Sequence, residues 1–150
     1  MATPFTDIYD LFLIGVSDYK LDQLYNISTT DFETYLQGFL IRAVPKFDNC
    51  NQDLTYSTTS AQFTETLTNT EKVILADLMT MEWMLKETQD VSQFNLLLND
   101  TDFKHYAEGQ NLKEKSAYLD KLREKVNQDM TVYGIKNTPW SDWANGEYGI

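Results

Sequence analysis

At 150 residues, with 42% hydrophobic and 13% aromatic side chains, the chain is long and apolar enough to bury one core without disulfides or metals, which excludes a disordered segment. Six glycines and three prolines leave little room for a turn-rich β-sandwich and point to a mostly α fold. Twelve basic against 23 acidic residues give a net charge of −11. Gripping a phosphate backbone needs clustered Lys and Arg, so that class is disfavoured, while a basic partner would be attracted.

Thr3-Pro4 reads as an N-cap with proline at the first helical position, and Phe5, Ile8, Leu11 and Phe12 give one apolar face to a short helix ending near Gly15. The apolar run Ile8 to Val16 is too short for a secretion signal or a membrane span, and Asp10 interrupts it, so synthesis in a cytoplasm is expected. Asp18 to Ser28 is a connector with Leu21, Leu24 and Ile27 at helical spacing. Thr30 and Glu33 form a capping box for a helix carrying Phe32, Leu36, Phe39, Leu40 and Val44, which Pro45 ends or kinks. From Asp48 to Thr66 the chain turns polar and Thr/Ser-rich. Its β-branched residues and Tyr56 would permit a strand, but an isolated strand has nothing to pair with, so a long loop at about 48–66 is predicted.

The stretch Thr68 to Thr88, TNTEKVILADLMTMEWMLKET, organises the rest. Thr68 and Glu71 make a second capping box, and apolar residues from Val73 to Leu85 cover more than one face. The spacing predicts a buried central helix in a small multi-helix bundle. Val91 to Leu98 reads as a separate short helix with Phe94 and Leu97 inward. Phe103, Tyr106, Leu112, Leu119, Leu122, Val126, Met130 and Tyr133 then mark one side of a helical run, interrupted near Gly109 and stopped at Gly134. Its flanks hold Lys113, Lys115, Lys121, Arg123 and Lys125. Residues 112–136 carry six basic and four acidic groups, whereas residues 1–111 carry six and 17. The remainder, Ile135 to Ile150, lacks a helical period yet contains Trp140, Trp143, Tyr148 and Ile150. The chain thus divides into a helical domain over 1–134 and an extended C-terminal tail over 135–150. The tail's aromatics either fold back onto the domain or anchor a partner.

Catalytic signatures are missing: there is no HExxH, CxxC, GxSxG, P-loop or GxGxxG pattern. His105 and Glu108 would share a helix face, but two groups without further His or Cys make a poor metal set. The single cysteine, Cys50, lies far from the only histidine and reads as a structural or solvent-exposed thiol. Carboxylates fall singly along amphipathic helices, with no local pair placed for acid–base work. No enzymatic activity, metal or cofactor is expected.

Several phrases resemble a family of head–tail connector, or adaptor, proteins of long-tailed phages and prophages of Gram-positive bacteria. They are IYDLFLIGVSDYKL at 8–21, LQGFLIRAVPKFDNC at 36–50, LTNTEKVILADLMTMEWMLKE at 67–87, and LLLNDTDFKHYAEGQNLKEKSAYLDKLREKVNQDMTVY at 96–133. The likeness spans most of residues 5–134 and contains no catalytic signature. It implies a small helical structural protein of the virion neck that forms a ring, usually of twelve copies, beneath the portal. Such a ring extends the DNA channel used in ejection and docks the next neck or tail protein. It needs no cofactor or membrane, and genomic DNA passes through it without specific binding. By that resemblance the C-terminal segment reaches the portal protein, with Trp140, Trp143, Tyr148 and Ile150 as anchors. The charge division suggests that Lys121, Arg123 and Lys125 meet an acidic face of the neighbouring copy, such as Asp7, Asp10, Asp18 and Asp22. The alternative is a small acidic DNA mimic that inhibits a nuclease or regulator. A mimic needs its carboxylates in a phosphate-like row, and here they are dispersed beside a basic helix.

Overall fold

The computed structural model describes residues 1–16, 18–97, 102–140 and 144–146, with the side chains of Tyr19 and of residues 91–112 set apart from the description. Among the described residues the chain is mostly α, with five helices and a small three-stranded antiparallel sheet. The helices are α1 (Phe5–Gly15), α2 (Tyr19–Ile27), α3 (Thr29–Ala43), α4 (Asn69–Leu97) and α5 (Asp102–Asn137). The strands are β1 (Thr3–Pro4), β2 (Tyr56–Ser57) and β3 (Gln62–Phe63), in the order β1-β3-β2.

Helix α4 packs against α1, α3 and α5. Side-chain pairs fix the directions. Asp7 meets Lys72 at 2.8 Å and the Phe12 ring lies edge-on to Trp83, so α1 runs alongside α4 in its own direction, and Lys20 at the start of α2 approaches Glu87. Arg42 reaches Glu82 while Lys86 sits over the Tyr35 ring, so α3 runs the opposite way. Lys125 reaches Asp77 and Tyr133 reaches Glu71, so α5 does too. Ile74, Leu75 and Met79 of α4 are fully buried among Ile8, Phe12, Leu36, Leu40 and Val126. Apolar cover on more than one side of α4 is therefore matched by helices on more than one side. Pro45 ends α3 as expected, since it cannot donate to the ladder; a 3-10 turn, Val44–Lys46, follows Ala43.

The structure corrects five local expectations. Thr3 does not cap α1. It pairs with Phe63 in the sheet, its hydroxyl donates to the Glu65 carbonyl and accepts from the Leu67 N–H, and α1 starts behind Pro4 with no side-chain cap. The segment 48–66 is not all loop, because β1 supplies the partner that a lone strand lacked. The β2–β3 connection puts Ala61 at φ +51, at a steric cost of about 1–2 kcal/mol. That turn presents the Ala61 carbonyl to the Phe5 N–H at 2.9 Å and so satisfies an orphan donor at the start of α1. Phe5, Tyr56 and Phe63 meet edge-to-face beneath the sheet. Third, α3 starts at Thr29 and its cap is Ser28, two residues before Thr30, with the Ser28 hydroxyl accepting from the Asp31 N–H. Fourth, α4 runs unbroken to Leu97, so Val91 to Leu98 is not a separate helix; Leu98 lies outside the described residues.

Finally, α5 passes through both Gly109 and Gly134 and ends at Asn137. Gly134 serves packing instead: a Cβ there would stand 3.2 Å from Asn49 Nδ2, which donates to the Met130 carbonyl. The helix therefore takes the first three residues of the expected tail.

Candidate interaction surfaces

The capping box at the start of α4 forms as the sequence predicts. Glu71 Oε2 accepts from the Thr68 N–H at 2.7 Å, and the Glu71 N–H donates to Thr68 Oγ1 at 3.3 Å. The other carboxylate oxygen accepts from the Tyr133 hydroxyl at 2.8 Å, and that hydroxyl accepts in turn from the Asn51 N–H. One buried carboxylate thus joins α4, α5 and the segment before the sheet. Burial raises the Tyr133 phenol; the Asn51 donation opposes that rise and the Glu71 hydrogen bond adds to it. Cys50, half-buried, lies 3.9 Å from the same hydroxyl. Burial pushes its thiol up against the pull of hydrogen bonds from Gln52 and Tyr133, which keeps it protonated and weakly nucleophilic.

Three turns along α4, Glu82 is also buried. Arg42 Nε donates to its Oε2 at 3.1 Å and the Lys46 ammonium lies against Oε1. Both cations keep their own ends largely in solvent, at 75% and 43% exposure, while the Glu82 side chain is 1% exposed.

Of the residues singled out for a subunit contact, Lys125 is already engaged within the chain. It pairs with Asp77 at 2.7 Å and Asp129 at 3.3 Å, and the hydrogen bond to Asp77 is the main cause of its raised pKa. Arg123 makes an exposed contact of 3.6 Å with Asp120. Lys121 is exposed, with no ion pair among the described residues. On the acidic side, Asp7 is held by Lys72 and Asp18 caps α2 through the Lys20 N–H. Asp10 and Asp22 remain exposed. Trp140 is half-exposed and its indole N–H donates to the Ile135 carbonyl at 2.8 Å, folding the chain back over the end of α5. Trp143, Tyr148 and Ile150 lie outside the described residues, as do the side chains of His105 and Glu108.

Two apolar surfaces are new. Leu13 and Ile14 at the end of α1 and Tyr25 on α2 are exposed around a groove of about 380 Å³ lined also by Val16, Asp22 and Phe32, and Ile27 at the end of α2 is exposed as well. Val73 on α4 and Val132 and Ile135 on α5 are exposed at the other end, where a groove of about 610 Å³ runs between the start of α4 and the end of α5. The signal was present in the pattern. Val132 and Ile135 fall off the Leu119–Leu122–Val126–Tyr133 seam, and Ile14 falls off the Ile8–Phe12 stripe, so neither group can face the core.

No protein-family model, curated protein or solved structure matches this chain. Among the described residues there is also no group of three His, Cys, Asp or Glu able to hold a metal, and no helix long and apolar enough to cross a membrane. The surfaces themselves carry the functional argument.

Proposed function

We propose that this chain is a head–tail connector of a long-tailed phage or prophage, a structural virion protein that forms a ring beneath the portal. The ring extends the DNA channel and docks the next neck or tail protein. The observation that carries this reading is the pair of exposed apolar surfaces on a helical body whose two buried carboxylates are held internally. Clustered exposed apolar side chains serve protein contacts, because leaving them in water is unfavourable. The resembling phrases at 8–21, 36–50 and 67–87 fall on α1, α2, α3 and α4, the elements that build the described core. In this reading the bundle wraps α4 and the chain beyond Asn137 is an arm to the portal, with Trp140 at its root. Lys121 and Arg123 are the basic groups left for a neighbouring copy. A net charge of −11 suits a channel wall past which DNA must slide without being held.

Pull-down by purified portal protein tests the reading, using the full chain and a form ending at Asn137. Binding lost on truncation supports the connector and puts the anchor in the arm. Retained binding moves the anchor to the helical body. Failure of both forms to bind overturns the connector reading and turns attention to inhibition of nucleases by an acidic mimic.

A further inference from the structure

We propose that Asn145 is a site of spontaneous deamidation, where the asparagine closes to a succinimide and reopens as a mixture of isoaspartate and aspartate. The proposal goes beyond the connector reading and does not rest on it, since the chemistry needs only this chain, a base and water.

Asparagine deamidates when the backbone nitrogen of the next residue attacks the side-chain amide carbon, so the residue that follows governs the rate. Of the ten asparagines in the chain, Asn145 alone is followed by glycine. Gly146 has no Cβ to crowd the attacking nitrogen or the five-membered ring. The two residues form an exposed turn with Gly146 at φ +76, and a Cβ added at Gly146 would meet nothing within 4 Å. An exposed turn that no neighbour crowds opens at little cost, so the backbone can reach the geometry of attack. The other asparagines lack that combination. Asn26 and Asn127 lie within α2 and α5, where the N–H that would attack is bonded along the helix. Asn137 donates its amide to the Tyr133 carbonyl, and the Thr138 N–H after it donates to the Ile135 carbonyl. Asn49 donates its amide to the Met130 carbonyl.

In the first step the Gly146 nitrogen gives its proton to hydroxide or a buffer base and bonds to Cγ of Asn145. The Cγ–Nδ2 bond breaks and ammonia leaves. Water then opens the imide: breaking the new Cγ–N bond gives aspartate, and breaking the original backbone C–N bond gives isoaspartate, whose main chain is longer by one carbon. Nothing is oxidised or reduced. Each event adds one negative charge to a chain already at −11. It does so between Trp143 and Tyr148 in the sequence, within the segment assigned above to the portal.

Peptide mapping by mass spectrometry tests this on the full chain, held at neutral and at mildly alkaline pH, with isoaspartate read separately from aspartate. The expected result is that position 145 becomes acid ahead of every other asparagine, faster at the higher pH, with isoaspartate as the larger product. Asn145→Gln should remove the isoaspartate signal from that peptide, and Gly146→Ala should slow conversion to the rate of the other asparagines. Both changes fall in an exposed turn, so an unchanged thermal melt shows that the fold is intact. An Asn145 that stays intact, or that reacts no faster than the others, overturns the inference. So does conversion to aspartate alone, which is direct hydrolysis without the ring, and so does an undiminished rate in Gly146→Ala. Every readout is made without portal or virion, so failure here is distinct from failure of the connector reading.

Discussion

Glu71 and Glu82 are the same residue type, eleven positions apart on α4 and both nearly inaccessible, yet they are held by different physics. Glu71 lies at the helix start, where the dipole is positive, and takes neutral donors: a backbone N–H and the Tyr133 hydroxyl. Glu82 lies in the helix interior, where backbone donors are spent on the ladder, and is neutralised by Arg42 and Lys46 from the end of α3 and the turn after it. A carboxylate at a helix start is stabilised locally. One in the middle depends on charges brought by the tertiary fold.

Four changes would break or sharpen that contrast. Glu71→Ala removes the cap and strands both the Thr68 N–H and the Tyr133 hydroxyl, an expected loss of about 3 kcal/mol. In a chain of this size a thermal melt should fall by about 6–12 °C; a change below 2 °C or so would mean that the network is dispensable. Tyr133→Phe leaves Glu71 its cap but removes one donor and strands the Asn51 N–H, at about 1–2 kcal/mol.

The same residue predicts a pH dependence. The folded pKa of Tyr133 lies above the unfolded value, as does that of Tyr9, raised by burial and then by the Glu33 charge, and that of Lys125. In each case the folded state holds its proton longer. Their contribution is complete below about pH 10 and is lost as pH climbs above it. Urea midpoints should fall on the alkaline side, less steeply in Tyr133→Phe.

Glu82→Met should change stability by no more than about 1 kcal/mol in either direction, because apolar packing replaces an ion pair whose cations return to water. A loss as large as that of Glu71→Ala would erase the distinction between the two sites. Smallest is Lys125→Met, at about 0.5 kcal/mol and shrinking with added salt, since the pair it breaks is solvent-exposed.

What was legible in the sequence follows the same division. The Thr68–Glu71 box, the stop at Pro45 and the Leu119–Tyr133 seam are local patterns, and each appears in the structure. The sheet was not legible, because two-residue strands carry no period and Thr3 finds Phe63 sixty residues away. Gly134 misled as a helix stop. Nothing in its neighbours shows that Asn49 needs the space, or that Tyr133 one residue earlier is fastened to Glu71. Val91 to Leu98 reads as a separate helix, but none of Thr88 to Asp90 is Gly or Pro and α4 continues through them. For the surfaces, Lys125 looked free for a neighbour because its partner Asp77 is 48 residues distant. Ile14 and Val132 fall off the core stripes, and an apolar residue off the stripe is the mark of an outward-facing contact.

The most direct measurement is electron cryomicroscopy of the particle neck. A ring of this bundle under the portal is the predicted result. A neck from which this chain is absent would contradict the account.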